Sequence, residues 1–385
     1  MFKAGKNSIY KELGIQPVIH AGGTKTTHGG TKLSYEVIQA MNLAAESFVD
    51  VLELNRKIGQ YIAKITGAEA GMVTSGAASG MVLSAAACMT GNCLSSIKAL
   101  PNTFGLKNEI ITQKIHCGDY TNIYTFSGAK LKEIGNINSC HIQELESAIT
   151  DKTAAIAYLF GPRIYPVGLS LEEVVKVAKK NGIPVIVDAA AMLPPLENLK
   201  KYINMGADLV TISGGKFING PQSTGILFGR KNLIEAALAN ASPNYAIGRP
   251  HKVSKENMVG IYTALKRLET LDVKELIQCY IDRLNVVKQL ITEIKNITVE
   301  IMQDAFNYSI PVLIVKFNNN WDGLEPKDIL RELINGNPPI FLQYFKGLQH
   351  LVVNPISLSD DELEPLGQRI NEVLKLKGKK NALTS

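Results

Sequence analysis

The sequence predicts an α/β protein: a large domain built on a mostly parallel seven-stranded sheet between helices, followed by a smaller α+β domain. Three observations carry this. Short apolar runs rich in Val and Ile alternate with helix-period segments from about residue 60 to 245. These runs are apolar throughout, as in strands whose sheet is covered on both faces. After about residue 246 the alternation stops, and long helical stretches lead into two short strands and a last helix.

Taken in order, residues 1–50 read as an arm and an entry helix. Residues 51–245 form the large domain, with strand candidates "AGMVTS", "EIITQK", "KLKEIG", "AAIAYLF", "PVIVDAA", "ADLVTIS" and "TGILFG". Among the intervening helices, "SLEEVVKVAKKNG" has the clearest ends: Ser170 as N-cap, Glu173 three residues on, and Gly182 at the close. Residues 246–385 form the smaller domain. There "SKENMVGIYTALKRLETLD" and "VKELIQCYIDRLNVVKQLITEIKN" read as one long docking helix before "IPVLIVKF", "HLVVNPI" and the final "SDDELEPLGQRINEVLKLK".

With 45% apolar and 20% charged residues among 385, the composition is that of an ordinary globular protein. The formal charge of +6 is spread along the chain apart from the short cluster "KLKGKKN", and no stretch interleaves basic and aromatic residues, which argues against nucleic acid as a partner. The five cysteines, Cys88, Cys93, Cys117, Cys140 and Cys279, contain no CxxC pair. No zinc spacing or disulfide framework is indicated, and a reducing cytoplasm fits. The opening "MFKAGKNSIYKELG" is too polar for a signal peptide, and no apolar run reaches the length of a membrane span. A soluble cytoplasmic protein without a metal is expected.

The chemistry is concentrated in "TISGGKFINGPQSTG", where Lys216 stands among glycines just beyond an apolar strand. A lone loop lysine is by default solvated, so its neighbours decide. Open α/β sheets bind ligands beyond the carboxyl ends of their strands. In "VTSGAASG" a strand turns through small residues into a helix, so backbone N–H groups with the hydroxyls of Ser75 and Ser79 make an anion nest; tight packing would account for the same residues. The spacing is neither GxGxxG nor a P-loop. In "VIVDAAAMLPP" Asp188 ends a strand, where a carboxylate is costly without a cation or donors. Helix capping and a protonated heterocyclic nitrogen both explain it. "EIITQKIH" brings His116 to another strand end, as an ordinary polar residue or as a flat face for a ring. Nest, flat side chain, acid and amine, in that chain order, are what a protein supplies to pyridoxal 5'-phosphate (PLP).

Through "HAGGTKTTHGGT", "AKITGAEAGMVTSGAASG", "VIVDAAAMLPP", "SGGKFINGPQSTGILFGR" and "GRPHKVSKENMVG", nearly the whole chain resembles the fold-type I PLP enzymes of the aspartate aminotransferase superfamily. Within them it resembles the group joining bacterial selenocysteine synthase and D-glucosaminate-6-phosphate ammonia-lyase. The resemblance implies that Lys216 is the imine-forming lysine, that Asp188 faces the pyridinium nitrogen and that His116 stacks on the ring. It further implies that Ser75, Gly76, Ala77 and Ser213 hold the phosphate, that Gln222 reaches the phosphate of a partner subunit, and that Arg249 grips a substrate anion. The chain departs from the family at His20 of "HAGGT", where Asn is usual, at His28, where leucine is usual, and at Gln343, where an arginine is expected. With Thr24 and Arg249, these are the substrate-binding candidates.

Such a site removes an α-proton, with the Lys216 amine as base, and a β-hydroxyl then leaves with a proton from Lys216 or His116, or from His28 only if the arm folds over the site. The expected reaction is β-elimination from a hydroxylated amino acid or amino-sugar acid, releasing ammonia and a 2-oxo acid. Lys25, Lys32 and Arg249 would meet a substrate phosphate. A selenium transferase would have to dock a tRNA, and no segment suggests a domain for it. A racemase or aminotransferase shares the same core. A non-catalytic binding protein has no need of both Asp188 and Lys216. The resemblance implies a homodimer or a higher even homo-oligomer.

Overall fold

The computed structural model describes residues 9–161, 168–291, 294–304, 308–345 and 347–377. Its strands fall into two sheets. β1 (Ile19–Ala21) belongs to the smaller one. The next seven are β2 (Ala70–Thr74), β3 (Glu109–Gln113), β4 (Lys130–Ile134), β5 (Thr153–Leu159), β6 (Val185–Asp188), β7 (Leu209–Ser213) and β8 (Gly225–Gly229), in the spatial order β2-β8-β7-β6-β5-β3-β4. They coincide with the seven runs read from the sequence. Only β8 runs against its neighbours β7 and β2; the other pairs are parallel.

Both faces of this sheet are dry except at the edge strand β4, where Lys130 and Glu133 are exposed. Met72, Ile110, Ala157, Ile186, Leu209 and Leu227 pack in one buried cluster with residues of helices Gly76–Thr90 and Lys231–Asn240. Side chains alternate across a strand, so Val73, Ile111, Ile156, Val187 and Val210 face the other way, and they too are buried. Hence the strands read as unbroken apolar text. Helix Leu171–Lys180 has the expected capping box: Ser170 Oγ accepts from the Glu173 N–H at 3.2 Å, and Glu173 accepts from the Ser170 N–H at 2.8 Å. Gly182 follows it with φ +64°.

Two features bring the carboxyl ends of these strands into register with a helix start. Gly80 lets helix Gly76–Thr90 lie directly on β7, since a Cβ there would stand 2.3 Å from Thr211 Oγ1. At the edge of the sheet, Asn55 of helix Val51–Thr66 pairs with the free side of β2, accepting from the Val73 N–H at 2.8 Å and donating to its carbonyl at 3.1 Å. The outer strand is thereby closed to further pairing.

Residues Leu33–Thr270 form one compact unit, and the described residues up to Lys32 together with those from Leu271 onward form the other. This division differs from boundaries at 50 and 245. Helix Tyr35–Ala45 and helix Lys255–Glu269 pack on each other inside the large unit. The long helix expected after residue 254 is two: Lys255–Glu269, then Val273–Gln289. Asp272 separates them by capping the second, its carboxylate accepting from the N–H groups of Lys274 and Glu275.

The smaller sheet has the order β1-β11-β12-β10-β9, with β9 (Ile297–Asp304), β10 (Tyr308–Phe317), β11 (Ile340–Phe345) and β12 (His350–Val353). Leu313, Val315, Leu351 and Val353 pack in one buried cluster with Leu284 and Val287 of helix Val273–Gln289 and with Leu366 and Ile370 of helix Asp360–Leu374. β10 and β12 match the two expected strands; β1, β9 and β11 were not foreseen. Among the described residues no helix is long and apolar enough to cross a membrane.

Candidate active site

Asp188 is the last residue of β6, aligned with Leu159 of β5 on one side and Thr211 of β7 on the other. Lys216 lies in the turn that directly follows β7. The acid and the amine therefore sit at the carboxyl ends of adjacent parallel strands, and the Lys216 charge is felt at the Asp188 carboxylate. Asp188 is 6% exposed, and one of its oxygens accepts from the Ala190 N–H at 3.0 Å. Burial pushes its carboxyl above the ordinary range; the Ala190 bond and the Lys216 charge pull the other way. A buried carboxylate with a single backbone donor is a receptor for one more cationic donor.

The lysine turn is held by backbone geometry. The Gly214 N–H donates to the Thr224 carbonyl at 2.8 Å, the Gly220 N–H to Gly214 at 2.9 Å, and the Asn219 N–H to Lys216 at 2.9 Å. Asn219 takes a left-handed φ of 57°. Gln222, half-buried, stands across this turn from Gly215. Ser213 closes β7, half-buried, with its N–H on the Ala190 carbonyl.

The anion nest lies next to that turn. Ser75 precedes helix Gly76–Thr90, Gly76 has φ +77°, and Thr74 Oγ1 donates to the Gly76 carbonyl at 2.9 Å. Gly225 of β8, opposite Thr74 on one side and Ser213 on the other, backs this turn so closely that a Cβ would lie 2.6 Å from the Gly76 carbonyl carbon. Ser79, in the first turn of the helix, is 4% exposed, and its hydroxyl has no hydrogen-bond partner among the described residues. A helix start with unspent N–H groups and an orphaned buried hydroxyl suits a phosphate. Together with a buried acid and a lysine at neighbouring strand ends, these residues fit PLP.

His116 does not end β3. The strand stops at Gln113, and His116 follows in a 3-10 turn, 3% exposed. Its Nδ1 accepts from the Leu159 N–H at 3.4 Å, and its ring stands edge-on to Tyr158 at 4.4 Å. Burial lowers the imidazole to about 4, so it is neutral at physiological pH. His116 and Asp188 line the same cavity, whose wall also contains Thr112, Tyr124 and Tyr158. Sequence reasoning missed these three. Thr112 and Tyr158 read as interior strand residues, and Tyr124 lies in "TNIYTFS", a segment with no motif.

Arg249 lies in the large unit but lines another surface, an open groove with Ile97, Lys98, Tyr245 and Ile247, and not the Asp188 cavity. The other substrate candidates belong to the smaller unit. His20 on β1 is buried and stacks on His28 at 4.9 Å, and Phe341 of β11 packs on both rings. His20 Nε2 is hydrogen-bonded to the Gly23 carbonyl, so this nitrogen carries the proton. Burial lowers the His20 pKa. Thr24 is half-buried in the bend between the two histidines, and Gln343 lies on β11 opposite Val352. In the same unit Lys32 pairs with buried Glu362 at 2.8 Å, while Lys25 is exposed.

Comparison with known proteins agrees with this geometry. Residues 50–303 match the family model described as SelA, L-seryl-tRNA selenium transferase. The D-glucosaminate-6-phosphate ammonia lyase of Salmonella typhimurium is 32% identical over 95% of this chain and 98% of its own length. A Streptomyces 5'-C-glycyluridine monooxygenase-decarboxylase is also 32% identical, over 95% of this chain and 92% of that protein. The L-seryl-tRNA(Sec) selenium transferase of Aquifex aeolicus is 26% identical over 94% and 85%. A solved structure of D-glucosaminate-6-phosphate ammonia-lyase superposes with a TM-score of 0.84 at 31% identity, covering 96% of this chain and 98% of that one. The family-model match over residues 50–303, with 32% identity to the ammonia lyase along nearly the whole chain, places this protein in the SelA family of PLP-dependent enzymes.

Proposed function

We propose that this enzyme is an ammonia-lyase: it abstracts an α-proton and drives β-elimination from a hydroxylated amino acid or amino-sugar acid, phosphorylated or not, releasing ammonia and a 2-oxo acid. The observation that carries the reading is the placement of Asp188 and Lys216 at the ends of the adjacent strands β6 and β7, beside the helix start at Gly76. The full-length likeness to a lyase of that class supports it.

Bound PLP supplies the electron sink that makes the substrate α-proton removable. The rest is the work of the chain. The N–H groups at Gly76 and Ala77, with the hydroxyls of Ser75 and Ser213, hold the phosphate, and Gln222 serves the phosphate of a second subunit. Asp188 keeps the ring nitrogen protonated; burial disfavours its ionised form, and the Ala190 N–H and the Lys216 charge favour it. His116 presents its ring face. Being neutral, it is a poor proton donor to a leaving hydroxyl, which leaves that step to Lys216. Lys216 Nζ accepts the α-proton and returns it to the departing oxygen, so acid and base are one atom in two protonation states. His20, Thr24, His28 and Gln343 belong to the smaller unit and stand as substrate-binding candidates by family resemblance alone, while Arg249 borders a different groove from Asp188 and takes no part in this scheme.

Purified protein incubated with hydroxylated amino acids and amino-sugar acids is expected to release ammonia and a 2-oxo acid in equal amounts, with no amino acceptor present. Strict dependence on a 2-oxo acid acceptor would make it an aminotransferase, and loss of optical rotation without ammonia a racemase. Carbon dioxide release with dioxygen uptake would align it with its Streptomyces relative. The reading includes a cytoplasmic homodimer or higher even oligomer; light scattering that finds a monomer in the presence of PLP removes that part.

A further inference from the structure

The cavity that contains Asp188 and His116 has a buried wall and an exposed rim. Thr112, His116, Tyr124, Tyr158 and Asp188 are buried, whereas Gly118, Asp119 and Tyr120 are exposed at its edge. The rim is one braced turn. The Gly118 N–H donates to Thr121 Oγ1 at 2.8 Å, the Thr121 N–H to the Gly118 carbonyl at 3.1 Å, and the Ile123 N–H to the Tyr120 carbonyl at 3.1 Å. Thr121 Oγ1 donates in turn to the His116 carbonyl at 3.4 Å, which ties the rim to the wall. These bonds hold the main chain and use neither the Asp119 carboxylate nor the Tyr120 hydroxyl. Among the described residues, both groups are without a hydrogen bond or ion pair.

A fixed carboxylate at the mouth of a cavity acts on a small substrate in two ways. Its two oxygens accept from hydroxyls, including two on neighbouring carbons at once. It also repels a second anion. Tyr120, 62% exposed, adds an apolar ring face for the C–H side of a carbon chain and a hydroxyl for its polar side. Two of the residues expected to meet a substrate phosphate are placed elsewhere: Lys32 pairs with Glu362, and Arg249 borders another groove. The charge in the described rim is that of Asp119.

We propose that Asp119 and Tyr120 are specificity residues that read the carbon chain of the substrate beyond its reacting carbons: neutral hydroxyls are accepted and a phosphate is rejected. The substrate class is then an unphosphorylated polyhydroxy amino acid, an amino-sugar acid rather than its phosphate ester. This rests on the ammonia-lyase reading of the site and narrows it. A phosphate-binding loop presents N–H groups and cations to its ligand; this rim presents a carboxylate and a phenol.

The test compares D-glucosaminate, its 6-phosphate and serine of the same α-carbon configuration as substrates of the PLP-loaded protein, read as kcat/KM for ammonia release. The parent protein is expected to prefer D-glucosaminate to the 6-phosphate by about tenfold. In Asp119→Ala the sugar acid should fall about tenfold relative to serine, the scale of hydrogen bonding to one charged group, and its lead over the phosphate ester should shrink. Asp119→Lys should invert that preference. Tyr120→Ala should lower the sugar acid about threefold relative to serine. Each value is a ratio of two substrates on one preparation, so partial misfolding of a variant cancels. Equal or greater activity on the 6-phosphate in the parent protein overturns the proposal. So does an Asp119→Ala loss that is the same for serine, which would mean a structural role. Absence of ammonia from all three substrates fails the lyase reading instead. The same ratios are then read as dissociation constants from the change in cofactor absorbance, and an indifferent ratio, or no change with any of the three, overturns the rim assignment as well.

Discussion

Lys216→Ala is expected to lower kcat by at least about 10³-fold while leaving the fold intact. The magnitude follows from removing a nucleophile and a general base in one change. The imidazole of His116, in the Asp188 cavity, does not replace them, since burial lowers it to about 4 and leaves it a weak base. The fold survives because the turn is secured by main-chain bonds among Gly214, Gly220 and Thr224, none of which uses the lysine side chain. Borohydride treatment of the parent protein should fix the cofactor on the tryptic peptide that contains Lys216, and the variant should yield no such peptide. Retention of more than a tenth of parental activity in the variant would remove Lys216 from the mechanism.

Asp188→Asn is expected to lose activity on the order of 10²–10³-fold, as when one preorganised electrostatic partner is removed from an active site. The same variant should be more heat-stable as apoprotein at pH 8. Burial raises the Asp188 carboxyl in the folded state. Its contribution to stability is therefore fully present below the unfolded pKa and is lost as pH rises through the folded pKa. Asparagine keeps an acceptor for the Ala190 N–H and carries no charge, so the advantage of the variant should appear on the alkaline side and vanish in acid. Loading with PLP should reverse the order, since only the carboxylate gains a cationic partner. Melting curves of apo and loaded proteins at several pH values check both signs. A variant no more stable than the parent at pH 8 would mean that the buried acid is not strained.

Much of this was legible in the sequence because it is written in main-chain chemistry. The strands other than β4 are dry on both faces and leave apolar runs, and the Ser170–Glu173 box marks its helix by residue type alone. Asp188 and Lys216 could be read because each ends or follows such a run. The smaller unit was harder. β9, "ITVEIMQD", is a half-exposed strand of mixed text, and β1 is three residues long and paired with a strand more than three hundred positions away. The break at Asp272 hid inside continuous helical periodicity, where one capping carboxylate decides the boundary. Side-chain company was not legible at all. That Tyr124 and Asp188 would line one cavity, that His20 and His28 would stack with Phe341, or that Arg249 would border a different groove from Asp188 depends on packing between distant segments.

The contact of Gly80 with Thr211 has a consequence for tolerance to thermal motion. Helix Gly76–Thr90 has the candidate anion nest at its start, and β7 leads into the lysine at its end; Gly80 packs on the Thr211 side chain, whose hydroxyl donates to the Ala77 carbonyl at 3.4 Å, so the two behave as one casting. The distance between the helix start and the lysine turn is then set by one short, β-branched side chain against a bare backbone, like the jaws of a fixed-gap gauge, and drifts little as longer side chains change rotamer.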